Sequence, residues 1–198
     1  MISRALKTSV LGASVVGLAL TAVASAAPVT YNVDPNHTFP SFETDHMGGL
    51  SVWRGKFNAT SGTVTLDKEG QAGSVDIKID AKSLDFGHEK LNGHVKNADM
   101  LDVEKFPTAT YTGKLVGFKN GAPTEVDGNL TLHGVTKPVK LKINKFLCKP
   151  HPMSKKEVCG ADASGKFNRD DFGVGYGKQM GFDMNVNLQI QVEAVKAD

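Results

Sequence analysis

Apolar and polar residues alternate with a period of two along most of the chain. In the segment Val75 to Asp80 every odd position is apolar and every even position is charged. This pattern is typical of a β-strand with one buried face and one face in water. The same alternation recurs elsewhere, and the predicted strands are Val29 to Val33, His37 to His46, Val52 to Leu66, Val75 to Asp80, Ala109 to Phe118, Glu125 to Leu132, Val139 to Asn144, Val158 to Phe167 and Val186 to Ala194.

Turn-forming residues separate these predicted strands. Asp67-Lys68-Glu69-Gly70, Lys119-Asn120-Gly121 and His133-Gly134 each combine polar residues with a glycine, as tight turns do. Many strands with one apolar and one polar face indicate an antiparallel barrel or a sandwich.

The inward-facing positions favour the barrel. They alternate between large and small residues from Trp53 to Ala59 and from Ala109 to Gly117. Small inward residues leave room for a ligand, although glycines in strands also mark bulges and barrel corners. We therefore predict an all-β fold and favour an antiparallel barrel around an apolar cavity over a sandwich. By alternation the candidates for its lining, for which ordinary core packing is the alternative, are Trp53, Phe57, Tyr111 and Leu115.

One segment departs from the strand pattern. Between His88 and Leu101, the residues Leu91, Val95 and Ala98 are spaced as one face of a short helix, which Gly93 weakens. Because this segment lies between two strands, we predict a short helical connection that packs over an opening of the barrel.

Residues 1–26 have the features of a cleaved secretory signal. Arg4 and Lys7 precede an apolar run from Val10 to Val23, and Ala24-Ser25-Ala26 matches a cleavage site. A membrane anchor is the alternative, but the apolar stretch is short for one. The expected organisation is a signal peptide at 1–26, a single barrel domain at 27–198 and a periplasmic location.

Composition and charge argue against a nucleic-acid partner. The chain has 198 residues, of which 40% are hydrophobic and 22% charged, which suits one folded domain. Its formal charge is +2. Both excess cations lie in residues 1–26, so the remaining chain has equal numbers of basic and acidic residues. Binding that depends on neutralising phosphates needs a basic excess, which this chain lacks.

The only two cysteines bracket a polar loop. Cys148 and Cys159 enclose a segment rich in lysine and proline, and they do not form a C-x-x-C motif. In an oxidising compartment such a pair is expected to form a disulfide, with two free thiols as the alternative.

No catalytic motif is present in the sequence. His88-Glu89-Lys90-Leu91-Asn92 lacks the second histidine of a zinc-protease motif, and neither G-x-S-x-G nor a phosphate-binding loop occurs. The six histidines lack the spacing of a structural metal site, even with methionines as soft partners. We predict no enzyme and no metal. The alternative is a periplasmic metal-handling protein or a small-molecule enzyme that uses histidines His37, His46, His88, His94, His133 and His151.

Six short motifs, in order, resemble the YceI-like family of exported bacterial proteins. They span Tyr31 to about Val195, nearly the whole predicted barrel domain. The cysteine pair departs from the family's general pattern. The motifs are Tyr31-x-x-Asp34-Pro35-x-His37-Thr38, Phe42-x-x-x-His46-Met47-Gly48, Arg54-Gly55-x-Phe57 with Ser61-Gly62-Thr63, Ala98-Asp99-Met100-Leu101-Asp102-Val103-Glu104-Lys105-Phe106-Pro107, Leu130-Thr131-Leu132-His133-Gly134-Val135-Thr136-Lys137-Pro138-Val139 and Asn168-Arg169-x-Asp171-Phe172-Gly173.

The resemblance implies a closed antiparallel eight-stranded, lipocalin-like barrel that binds a polyisoprenoid. The expected function is a periplasmic binding or carrier protein for an isoprenoid lipid, of the ubiquinone or polyprenyl phosphate type. A long-tail ubiquinone is the expected bound lipid, no covalent cofactor is expected, and transient contact with a membrane or a membrane protein is a further expectation. Further ligand-binding candidates come from the motifs and the helical connection: Phe42, Phe106, Phe172, Leu91, Met100 and Leu101. Arg169 and Asp171 are candidates for a head-group contact, with a structural ion pair as the alternative.

Overall fold

The computed structural model describes residues 27–198, so the predicted signal peptide at 1–26 lies outside the described residues. Twelve strands form one antiparallel sheet over this range. The strands are β1 Val29–Val33, β2 Phe39–His46, β3 Ser51–Phe57, β4 Thr60–Asp67, β5 Ala72–Asp80, β6 Leu84–Asp85, β7 Thr108–Val116, β8 Glu125–Leu132, β9 Val135–Pro138, β10 Leu141–Pro150, β11 Glu157–Asn168 and β12 Asn185–Lys196. The single α-helix of these residues, α1, spans Glu89–Lys96.

The sheet closes on itself through strand β1. Tyr31 of β1 lies opposite Val64 of β4 on one side and opposite Lys196 of β12 on the other. Following the pairs around gives the order β1-β4-β5-β7-β8-β10-β11-β12, after which β12 returns to β1. The closed antiparallel eight-stranded barrel predicted from the sequence is therefore confirmed.

Four of the eight positions around the ring are each filled by two consecutive strands. These positions are shared by β1 and β2, by β3 and β4, by β5 and β6, and by β9 and β10. β1 and β2 pair one after the other along β12; on their other side, β1 pairs with β4 and β2 pairs with β3. β6 continues β5 and pairs with β3, while β9 and β10 both pair with β8. The ring thus keeps eight positions although the sheet has twelve strands.

The predicted strand Val52 to Leu66 is wrong, because the chain breaks at Asn58 and Ala59. The backbone N–H groups of these two residues leave the sheet and donate to the carbonyl and the hydroxyl of Ser83. As a result the inward positions change from odd numbers in β3 to even numbers in β4. An uninterrupted strand would have turned the apolar face of β4 toward water.

The predicted strand Val139 to Asn144 corresponds to the beginning of β10, which starts two residues later and continues to Pro150. β9 ends at Pro138, β10 begins at Leu141, and the register shifts again between Ile143 and Lys145. This bulge turns the even-numbered residues that follow it inward. Cys148 therefore faces Cys159 on β11, and the two sulfurs are bonded, which confirms the predicted disulfide.

The predicted helical connection is confirmed but is shorter than the segment His88 to Leu101. The imidazole of His88 accepts a hydrogen bond from the backbone N–H of Leu91 and so caps the first turn of α1. The helix ends at Lys96, and Val103 is then buried, with its N–H donating to the Lys96 carbonyl. None of the helices within residues 27–198 is long and apolar enough to cross a bilayer.

We expect loss of the disulfide to weaken the barrel. The variant Cys148→Ala/Cys159→Ala should lose up to about 3 kcal/mol of free energy of unfolding, because the bond restricts the unfolded chain. Urea titration measures this loss. The wild-type protein unfolded in the presence of reductant is the matched control and should lose a similar amount. Equal stability of the oxidised wild type and the variant would contradict the expectation.

Candidate functional site

The barrel encloses an apolar cavity of about 640 Å³. Inward side chains of strands all around the ring form its wall, because alternate residues of each strand point to the same face. Val75, Ile77 and Ile79 of β5 are one such row, and Leu188 and Ile190 belong to another on β12. The interior is therefore a lined space of the kind that a small barrel uses to hold one ligand.

The cavity opens at one end of the barrel, which we call the mouth. Met47, Tyr176 and Met180 line the cavity and are also exposed to solvent, with exposed fractions of 57%, 40% and 59%. The mouth thus lies between the turn that joins β2 to β3 and the short 3-10 helix Lys178–Met180.

Aromatic rings surround the cavity just inside the mouth. The ring of His46 contacts those of Trp53 and Phe182, with centroid distances of 5.9 and 5.6 Å. Phe86 contacts Trp53 at 6.3 Å and Phe42 at 5.4 Å. All of these pairs meet edge to face, the arrangement that aromatic rings favour. The mouth therefore leads into an aromatic collar of His46, Trp53, Phe182, Phe86 and Phe42.

The helical connection forms one side of this opening. Leu91, His94 and Val95 of α1 line the cavity, and Met100 and Leu101 line it from the turns that follow. Of the three residues whose spacing predicted a helix, Leu91 and Val95 thus cover the barrel, whereas Ala98 lies beyond the end of α1 and is exposed.

Two tyrosine hydroxyls of the cavity wall bind to the protein itself. The Tyr111 hydroxyl donates to the Val139 carbonyl at 2.8 Å, and the Tyr31 hydroxyl donates to Glu157 at 3.1 Å. Burial raises the pKa of Tyr31 to about 12, assisted by the Glu157 carboxylate. Burial also raises the pKa of Tyr111. Both phenols stay neutral near pH 7, and the cavity wall keeps its apolar character.

Asp45 and Arg169 are the only Asp, Glu, Lys or Arg residues among the described residues that line the cavity. Hydrogen bonds from the backbone of Asp183, Gly49 and Gly48 hold the pKa of Asp45 below its ordinary value. Asp45 is therefore a carboxylate near neutral pH.

Arg169 is buried and bound to the loop beside the mouth. Its two terminal nitrogens donate to the carbonyls of Val174 and Tyr176, at 2.6 and 2.7 Å. Burial lowers its pKa, while the carboxylates of Asp170, Asp183 and Asp45 oppose this effect. Among the described residues Arg169 forms no salt bridge, so the ion pair with Asp171 that the sequence suggested is absent. The guanidinium instead holds the loop against the barrel.

The structure places most of the predicted site residues on the cavity wall. On β7, Tyr111 and Leu115 point inward as the alternation predicts, whereas Lys114 is exposed. Contact with a ligand stays a prediction for each of the lining residues, which are Phe42, Trp53, Phe57, Leu91, Met100, Leu101, Tyr111 and Leu115.

Phe106 and Phe172 do not line the cavity, contrary to the prediction. Phe106 packs on the ring of His133, with centroids 4.4 Å apart, close against Gly134. Phe172 is fully buried and packs on Phe167 at 5.3 Å. Their position in a motif, not strand alternation, predicts them as ligand-binding residues. Both instead pack against other rings outside the cavity.

Several lining residues were not predicted because they lie where the alternation breaks. Phe146 points inward only because of the bulge in β10, and Phe86 follows the short strand β6. Met47 has a positive φ of 54° in its turn, and Phe182 follows a 3-10 helix. For Phe86, Met47 and Phe182, the signal that could have found them is an aromatic or methionine residue next to a glycine in a turn.

The histidines are used separately in the structure. His37 pairs with Asp34, His133 lies near the Phe172 carbonyl, and His151 accepts backbone hydrogen bonds from its own turn. His94 packs on Tyr176. Within residues 27–198, the only group of three or more potential metal ligands is Cys148, Glu157 and Cys159, whose two sulfurs are bonded to each other. Nothing in this arrangement favours the metal-handling alternative.

The fold and the site together define a class, that of closed β-barrels whose interior is an apolar ligand cavity. A YceI-like domain profile matches residues 31–194. The chain belongs to the YceI-like family. The protein YceI of Salmonella arizonae is 36% identical over 172 residues, which cover 85% of this chain and 88% of that protein.

Three solved structures share the fold. BcnA of Burkholderia cenocepacia matches with a TM-score of 0.65 and 22% identity, covering 82% of this chain and 99% of that chain. The YceI protein of Campylobacter jejuni matches with a TM-score of 0.63 and 23% identity, covering 75% and 88%. A polyisoprenoid-binding domain of Saccharophagus degradans matches with a TM-score of 0.60 and 15% identity, covering 85% and 99%. At these identities the likeness establishes the fold.

A charge on the inner face of β7 should be costly. We expect Leu115→Asp to lower the free energy of unfolding by about 3 kcal/mol or more, because it removes apolar contacts and buries a carboxyl group. Thr110→Asp is the control, since Thr110 lies on the outer face opposite Lys78 and should change stability little. Urea titration compares the two variants. A larger loss for Thr110→Asp would show that the assigned faces are reversed.

The Thr60 hydroxyl yields a second stability prediction. Its oxygen is buried and has no hydrogen-bond partner among the described atoms. Thr60→Val has nearly the same shape and should raise the free energy of unfolding by about 1 kcal/mol, because a buried hydroxyl without a partner is unfavourable. Thr60→Ser keeps the hydroxyl and should give no such gain. A loss of stability in the valine variant, measured by thermal unfolding, would contradict this reading of the site.

Proposed function

We propose that the protein is a periplasmic carrier that holds one isoprenoid lipid, with the tail inside the barrel and the head group at the mouth. The observation that carries the proposal is the apolar cavity, in whose wall the hydroxyls of Tyr31 and Tyr111 are bonded to protein atoms. The solved polyisoprenoid-binding domain of Saccharophagus degradans has the same fold and supports this choice of ligand.

A long tail suits the energetics of such a cavity. Burying roughly 600 Å² of apolar ligand surface contributes about 15 kcal/mol at about 25 cal/mol per Å². Association and ordering cost about 4–15 kcal/mol, so a short tail binds marginally. We therefore favour a polyprenyl chain over a single fatty acid.

The charges at the mouth favour an uncharged head group. A phosphate there would meet the Asp45 carboxylate. The nearby cation, Arg169, already donates to two backbone carbonyls. The aromatic collar instead offers ring edges and faces to a flat quinone ring. Within the isoprenoid lipids we therefore propose a ubiquinone type of ligand ahead of a polyprenyl phosphate.

Binding rather than catalysis is the proposed activity. The cavity wall offers aliphatic and aromatic side chains, which hold a ligand by burial. The periplasmic location is proposed from the secretory pattern of residues 1–26 together with the disulfide, a bond that persists in oxidising compartments. Recovery of the protein in the periplasmic fraction tests the location. Native mass spectrometry of that material tests the carrier: a bound lipid of several hundred daltons is expected, and a metal or no ligand would count against it.

Affinity should increase with tail length until the barrel is full. We would titrate a series of quinones that differ only in the number of isoprene units and follow quenching of Trp53, the single tryptophan, which lies at the mouth. Salt should have little effect, because the binding is apolar. Affinity that is independent of tail length or falls steeply with salt would indicate a surface site for the head group.

Two neighbouring residues of β11 provide a matched pair for this titration. Ala163 is buried and lines the cavity, whereas Asp162 is exposed on the outer face. Ala163→Phe should shift the preference toward shorter tails, because the added ring occupies cavity volume. Asp162→Phe adds the same ring outside and should leave the preference unchanged. The same shift in both variants would argue against a tail in the barrel.

A further inference from the structure

Exposed apolar side chains are concentrated around the mouth. Within residues 27–198, seven large hydrophobic side chains are strongly exposed, and five of these lie in two segments beside the mouth. We call these five the rim: Met47, Leu50, Val52, Tyr176 and Met180. The other two, Leu147 and Met153, belong to the hairpin that carries the disulfide.

The two segments of the rim form one continuous surface. A Cβ atom on Gly48 would lie 3.1 Å from the carbonyl oxygen of Gly181, so the two turns touch. The Asp45 carboxylate bonds to both segments, since it accepts from Gly48 and Gly49 in one and from Asp183 in the other. The rim is therefore held in place as a unit.

The rim is continuous with the cavity and carries no charge of its own. Three of its members also line the cavity, so the apolar surface extends from the interior to the outside. Among its charged neighbours, Arg54 bonds to Glu43 and Lys178 bonds to Asp170, while the Asp45 carboxylate accepts backbone hydrogen bonds from both segments. A surface of this kind avoids water and has no electrostatic preference for a charged partner.

We infer that the rim docks on the surface of a lipid bilayer, so that an isoprenoid tail passes between bilayer and cavity without crossing water; this inference rests on the proposed function. Leu50 and Val52, with exposed fractions of 73% and 51%, project beside a narrow turn, a shape suited to insertion among lipid head groups. Three of the five rim side chains also line the cavity, so a second copy of the chain seated on the rim would cover the opening through which the lipid has to pass. A second copy of the chain is therefore the weaker candidate.

The experiment compares two pairs of substitutions that remove equally exposed apolar side chains. Leu50→Ser/Val52→Ser alters the part of the rim that does not line the cavity, and Leu147→Ser/Met153→Ser is the control at the disulfide hairpin. Binding to phosphatidylcholine vesicles is measured by flotation, and transfer is measured as the rate at which the protein extracts a long-tail quinone from them. The equilibrium affinity for a short-tail quinone in solution separates docking from ligand binding.

We expect the rim variant to lose about tenfold in both vesicle binding and extraction rate, with little salt dependence, because two apolar side chains no longer insert. Its affinity for the short-tail quinone and its thermal stability should match those of the wild type. The control variant should behave as the wild type in every assay.

Three results would overturn the inference. Equal extraction by the rim variant and the wild type would show that the rim is not the docking surface. Equal losses in both variants would indicate a general effect of surface hydrophobicity. A wild-type dimer in sedimentation that the rim variant converts to monomer, without change in extraction, would assign the rim to a second copy. Failure of the wild-type protein to bind any quinone of the tail-length series in solution would instead refute the proposed function.

Discussion

Strands β1 and β2 share one position of the ring, where they pair with β12 on one side and with β4 and β3 on the other, and the cavity depends on this double pairing. A sheet left open along β12 would expose two strand edges and could collapse face to face, as sandwiches do. Closure satisfies the backbone on both edges and holds the walls apart. The inner side chains can then be too few to fill the interior, and the remaining space stays available to a ligand.

The interruptions of the strands determine which residues face the cavity. Each break shifts the alternation by one residue, so that apolar residues of either parity can face the cavity. At Asn58 and Ala59 the cost of leaving the sheet is offset by hydrogen bonds to Ser83. The bulge near Lys145 likewise brings Phe146 inward and places Cys148 opposite Cys159.

The sequence predicts most strands, the helical connection and the disulfide, because each of them leaves a local signal. These signals are the period-two alternation, the helical spacing of apolar residues and the pair of cysteines around a polar loop. Tyr111 and Leu115 were placed on the cavity wall by the same reasoning. Phe146 and Phe182 could not be found this way, since their orientation depends on a bulge and a turn whose partners are distant in sequence. Phe106 and Phe172 show the converse, because a motif gives position along the chain but not the face on which a side chain lies.

The disulfide lies near the end of β12 that pairs with β1, whereas the mouth lies near the end that pairs with β2. One end of the barrel thus carries a covalent cross-link, whereas the other is held by hydrogen bonds and side-chain packing. A lipid held as proposed would enter tail first and leave head first through the same opening. An acceptor could then recognise the head group while the tail is still sheltered, so that selection by the receiving partner would precede release.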